Sequence, residues 1–202
     1  MAVRAGYYLL GPQQGRLALL TARDGLAAQI GHDLTIEVRD WSAELNVNDD
    51  LGPTDLVVRI DMNSLVVSEG TGGVKPLTER DRREIVVSAR KVLRADRRPE
   101  ATFTAAVFEP GSNGGGFVQG SLTLAGATRP LRLHVRKTGA NSYHAIASVR
   151  QSEFGIRPYT AFLGALKVSD SVGIVVDVEL PEPGQPPEAE HPGSGRADGA
   201  GS

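Results

Sequence analysis

Two stretches of the chain carry residue types that could do chemistry. In "QIGHDLTIEV", residues 29–38, a histidine and an aspartate stand side by side at the head of an alternating run. Such a pair works as acid and base, or as metal ligands, only if both side chains reach one substrate. His32 has the parity of Leu34, Ile36 and Val38, whereas Asp33 goes with Thr35 and Glu37. Successive strand side chains point to opposite faces, so the two should diverge. His32 then has two readings: a structural residue hydrogen-bonded to a neighbouring loop, or a donor to the polar end of a ligand. Neither is a catalytic dyad, and no catalytic residue is assigned.

The second stretch is "SEFGIRPYTAFLGALK", residues 152–167. Phe154, Tyr159, Phe162 and Leu163 bring large apolar surface, and Arg157 and Lys167 bring positive charge between them. The segment is either a loop packed over the core with its basic groups in water, or a lid. As a lid, its aromatics would touch an apolar chain and its cations an anionic or polar head.

Other candidates fall away. His134 sits between Arg132 and Arg136, His144 alternates against Tyr143 and Ala145, and His191 lies near the C-terminus. No two histidines have ligand spacing, so no metal is expected. The glycines at 114–116 are followed by neither lysine-serine nor a helix, which suits a hairpin and not a phosphate loop. With no cysteine there is no disulfide, thiol catalysis or Cys-type zinc site. A formal charge of −2 and basic runs interleaved with acids give no footprint for nucleic acid.

The elements that must position these residues are mostly strands. Period-two runs cover Leu34–Val38, Trp41–Val47, Leu56–Met62, Phe103–Val107, Val118–Leu124, Leu131–Val135, Tyr143–Val149 and Val172–Leu180. The phase changes at Arg39-Asp40, which predicts a turn or bulge. One segment keeps helical spacing instead: Ile85, Val86, Ala89, Val92 and Leu93, with Thr78 and Asp81 as a capping box and Pro99 beyond the end. Ile85 and Val86 should be buried there and Arg82 should face water. An antiparallel sheet of about eight strands tends to curl or close. The expected fold is mainly β: a barrel with one amphipathic helix laid on it or plugging one end, and Leu34, Ile36, Val58, Phe103, Ala105 and Val107 pointing inward.

From Pro181 the chain has no aliphatic side chain larger than alanine, so residues 181–202 are expected to form a disordered tail behind a domain at 4–180. The apolar patches Tyr7–Leu10 and Leu17–Leu20 are broken by Gly11-Pro12. They are too short for a secretory signal or a span. No stable membrane insertion and a cytoplasmic location are therefore expected.

Three segments resemble, in order, the conserved segments of the YceI-like family: "VLRADRRPEATFTA", "GSLTLAGATRPLRLHV" and "RQSEFGIRPY…GALKVSDSVGIVVDVEL". The likeness spans about residues 7–180, with "SLTLAGATRPLRL" its most specific part. "IGHDL" and "IRPYTAFLGALK" resemble a cytoplasmic, actinobacterial-type branch. The resemblance implies a lipocalin-like antiparallel barrel associated with polyisoprenoid binding. It points to a non-enzymatic binder of an isoprenoid-type lipid, a quinone or a polyprenyl phosphate, held non-covalently and without a further cofactor. The expected ligand set adds His32, Phe154, Arg157, Tyr159 and Phe162 to the interior positions, and a homodimer stays open. Two rivals remain: an isomerase or cyclase using His32 with Arg157 or Tyr159, and a stress-response interaction module whose barrel is filled by side chains.

Overall fold

The computed structural model describes residues 4–49, 52–111 and 114–184. In chain order the strands are β1 (Gly6–Leu10), β2 (Gly15–Asp24), β3 (Asp33–Val38), β4 (Trp41–Val47), β5 (Pro53–Asp61) and β6 (Leu65–Thr71). The helix α1 (Glu79–Leu93) follows. Then come β7 (Glu100–Pro110), β8 (Gly116–Leu124), β9 (Ala127–Lys137), β10 (Ser142–Arg150), β11 (Thr160–Ala161) and β12 (Leu166–Glu179). All join one antiparallel sheet in the order β1-β4-β5-β7-β8-β9-β10-β12-β2-β3-β6, with β11 folded back on β12.

The mainly-β design with one helix is as the alternation predicts, but twelve strands form in place of about eight. The additions are β1, β2, β6 and the short β11. β2 carries its apolar residues as a block, Leu17–Leu20, although its outer face is wet: Leu20 and Ala22 are exposed beside the buried Leu17 and Ala18. Apolar residues on the wet face hide the alternation that marks a half-wet strand.

The sheet curls into a half-barrel because the chain crosses its open seam twice at one corner. The turn at Arg39-Asp40 carries it from β3 to β4, and the turn at 62–64 between β5 and β6 carries it back. Arg39 N–H donates to the Ser64 carbonyl at 3.1 Å, and Asp61 N–H to the Asp40 carbonyl at 3.0 Å. The phase change in the sequence is this corner.

The two sheet edges are covered differently. On the β6 side α1 lies along the strand, started by a complete Thr78–Asp81 capping box and ended by Arg94 in the left-handed region (φ 56°). Ile85, Val86, Ala89 and Leu93 pack on the core. Arg82 does not face water as expected. Its guanidinium donates to the Val67 and Ser68 carbonyls at 2.9 and 3.0 Å, and Arg90 donates to the Asn63 carbonyl. The helical spacing explains it: Arg82 is three residues before Ile85 and four before Val86, on the inward stripe. A long cationic side chain there reaches the unpaired carbonyls of an edge strand.

On the β1 side, Gly184 bridges Tyr7, its N–H donating to the Tyr7 carbonyl at 2.8 Å. The described chain runs through Pro181–Gly184, four residues beyond Leu180. The rest of the expected tail, residues 185–202, lies outside the described residues.

Two buried clusters share the interior. One gathers Tyr8, Leu10, Trp41, Val47 and Leu65, and the other Phe103, Ala105, Leu122, Phe154 and Ile156. Gly120 makes room in the second: a Cβ there would stand 2.7 Å from the Phe103 ring.

Candidate functional site

Between α1 and the concave face of the sheet lies a cavity of about 550 Å³. Alternation supplies its walls. β2 contributes Leu17, Leu19 and Thr21, β3 contributes Leu34, Ile36 and Val38, and β12 contributes Val172 and Ile174. Leu122 and Leu124 of β8 face them, and Ile85, Ser88, Ala89 and Val92 of α1 form the roof. The size falls within the range of small-molecule sites, and the walls are largely apolar as such sites usually are.

Polar groups collect toward the loops: Arg23, His32, Lys75, Asp81, Glu84, Tyr159 and Lys167. His32 Nε2 donates to the Lys75 carbonyl at 2.8 Å, so Nε2 carries the hydrogen. Its ring lies against Gly73, where φ is +70° and a Cβ would stand 2.5 Å from the ring. Only glycine meets both demands. Asp33 turns elsewhere, accepting from Arg23 N–H at 2.8 Å, while the Arg23 guanidinium donates to the Gly31 carbonyl. Histidine therefore serves the 72–78 loop and aspartate the end of β2, in agreement with their opposite parity.

The carboxylates at this end are already engaged. Asp81 accepts from the Thr78 hydroxyl and N–H, which hold its carboxyl below the usual aspartate range. Glu84 pairs with Arg80 at 2.9 Å. Lys75 and Lys167 have no ion-pair partner among the described residues. Gln151 is buried, and its amide donates to the Ser169 carbonyl at 2.8 Å, leaving the amide oxygen free to accept. The Gln151–Phe154 turn is pinned by Asp170, whose carboxylate takes the Ser152 hydroxyl at 2.6 Å and N–H at 2.8 Å. The same two bonds, the hydroxyl's first, depress the Asp170 pKa.

Of the residues expected to meet a ligand, His32, Leu34, Ile36 and Tyr159 line the cavity. Val58, Phe103 and Ala105 face the same interior but below it. In the β5–β7 ladder Ile60 pairs with Ala101 at the cavity wall, Val58 with Phe103 one step on, and Leu56 with Ala105 next. The deeper pairs fill core. Phe154 is likewise core, and its neighbour Ile156 reaches the cavity instead. Val107 does not point inward: the register jumps between Ala105 and Val107, and this bulge at Ala106 turns Val107 into solvent. Arg157 and Phe162 stand exposed on the loop beside the opening. Leu17, Leu19 and Thr21 were legible as an alternating trio, but the apolar block around them masks it. The roof residues Ala89 and Val92 were legible as one helical face.

A curled antiparallel sheet closed by a helix over an apolar chamber defines the lipocalin-like class of containers. The YceI-like domain family model matches residues 18–180, and the chain belongs to that family. Its fold is similar to that of BcnA from Burkholderia cenocepacia, at 16% identity and a TM-score of 0.55, over 81% of this chain and 94% of that one. It is also similar to the YCEI protein of Campylobacter jejuni, at 21% identity and a TM-score of 0.51, over 71% and 82%. A mutant of that protein holding a monobromobimane guest matches over the same shares at 18% identity and a TM-score of 0.52. No curated protein sequence matches the chain.

Proposed function

We propose that the chain binds and carries an isoprenoid-type lipid, its apolar tail in the chamber under α1 and its polar end among His32, Lys75 and Lys167. The observation that carries this reading is the chamber itself: about 550 Å³ of largely aliphatic wall. A dry interior filled by side chains, as in the interaction-module reading, would have no such space. At about 0.8 kcal/mol per buried CH₂, two to three isoprene units bring about 8–12 kcal/mol gross. Ordering costs remove several, which leaves affinity near micromolar. The unpaired lysines suit the phosphate of a polyprenyl phosphate, and the accepting atoms left on His32 and Gln151 suit the hydroxyls of a reduced quinone. The binder is non-enzymatic in this reading and works in the cytoplasm.

The test is volume. Leu19→Trp places an indole in the middle of the chamber, whereas Val107→Trp adds the same bulk on the wet side of the bulge. In titrations with farnesyl ligands, Leu19→Trp should abolish binding and Val107→Trp should leave it unchanged, both folded by circular dichroism. Binding that survives Leu19→Trp places the lipid elsewhere and sinks the proposal.

A further inference from the structure

Three loops border the opening of the chamber: residues 25–32, 72–78 and 155–165. Each sends a residue to it, Ile30, Val74 and Tyr159. The first and third are tied together by Ala27 N–H donating to the Ala165 carbonyl at 2.8 Å. Their outer surfaces are strongly apolar. Leu26 and Leu163 are fully exposed, Val74 is 73% exposed and Phe162 66%. Phe162 and Leu163 also hold positive φ, 49° and 55°. Large side chains rarely adopt that region, and residues kept there cluster at functional surfaces. Here the backbone turns so that both side chains leave the protein.

The same rim is basic. Lys75, Arg157 and Lys167 are exposed and have no ion-pair partner among the described residues. The acids nearby are each engaged: Asp24, opposite Lys167 in the β12–β2 register, accepts from Gly25 N–H, Asp33 is held by Arg23, Asp81 by Thr78, and Glu84 pairs with Arg80.

We propose that this rim docks on the surface of an anionic phospholipid bilayer. Leu26, Val74, Phe162 and Leu163 seat among the headgroups, and the three cations face lipid phosphates, so the chamber opens onto the membrane. Apolar side chains between free cations are what an anionic interface rewards. A second copy of the chain fits less well, because a two-fold pairing would set each basic rim against another. The inference rests on the reading that the chamber takes a lipid chain, since such a ligand must cross this rim from a bilayer. Docking of this kind is peripheral and needs no spanning segment.

The experiment is flotation of the full-length protein with two kinds of vesicle, phosphatidylcholine alone and phosphatidylcholine with about a third phosphatidylglycerol. The protein should float with the anionic vesicles, much less with the neutral ones, and less at high salt. The double variant Phe162→Ser, Leu163→Ser should lose at least about tenfold in bound fraction, and Arg157→Glu should lose binding to anionic vesicles selectively. In parallel, titration with N-phenyl-1-naphthylamine without vesicles reads the chamber alone, and the serine variant should match the wild type. Absence of flotation on anionic vesicles overturns the docking, as does a serine variant that floats like the wild type. So does a concentration-dependent dimer that the serine variant loses while neither protein floats. If flotation behaves as expected but the chamber takes no dye, docking stands and the lipid-chain reading fails.

Discussion

Phe103 and Val107 show how much one inserted residue decides. They share parity in the sequence, yet Phe103 is buried and Val107 is 54% exposed because the bulge at Ala106 lies between them. Phe103→Ala should cost about 3–5 kcal/mol, lost apolar transfer plus the void left beside Leu122, whereas Val107→Ala should stay within about 0.5 kcal/mol. Denaturant unfolding of both variants measures the difference, and equal losses would put the bulge elsewhere. Two carboxylates give a pH signature. Asp81 and Asp170 both have folded pKa values below the ordinary aspartate range, chiefly through Thr78 and Ser152 hydroxyls. A depressed pKa stabilises the fold above the unfolded value and ceases to do so as pH falls through the folded one. The melting temperature should therefore hold near neutrality and decline on the acid side of the aspartate range. In the double variant Asp81→Asn, Asp170→Asn the decline should be shallower.

At the scale of elements, the helix was legible in its capped start and its apolar stripe, but not in the inward reach of Arg82. The capping box needs only residues within one turn, and the apolar stripe needs only helical spacing. What the helix covers was not legible, because the β6 edge becomes an edge only when the sheet is ordered in space. Arg82→Ala removes charged hydrogen bonds to the Val67 and Ser68 carbonyls, and a loss of about 1.5–3 kcal/mol follows. Arg83→Ala, one residue on and exposed, should be nearly silent. Thermal melts decide it. Similar losses from the two variants would mean that α1 does not cap the edge through Arg82. Ile85→Asp should be worse than either, since it sets an unpaired charge against the chamber roof.

Over the whole molecule, the half-barrel depends on what closes its β1 edge. Truncation after Leu180 removes the two backbone hydrogen bonds between Tyr7 and Gly184 and the Arg4–Glu182 ion pair, whereas truncation after Gly184 keeps them. The shorter protein should be less stable by about 1–3 kcal/mol, from two hydrogen bonds and little from an exposed ion pair. Equal stability of the two truncations would show that the bridge contributes nothing.

The half-wet strands, the corner at Arg39-Asp40, the capped helix and the family were all readable from residue order, because each depends on neighbours a few positions away. The opposed faces of His32 and Asp33 were readable for the same reason. Which inward residues meet a cavity was not. Ile60 and Val58 have the same parity and similar chemistry, yet one lines the chamber and the other fills core. That difference depends on where α1 crosses the sheet, and so on packing between segments far apart in sequence. The rim is the extreme case: the loops that carry Leu26, Val74 and Leu163 are far apart in sequence, yet each sends a residue to the same opening. No local pattern encodes their meeting.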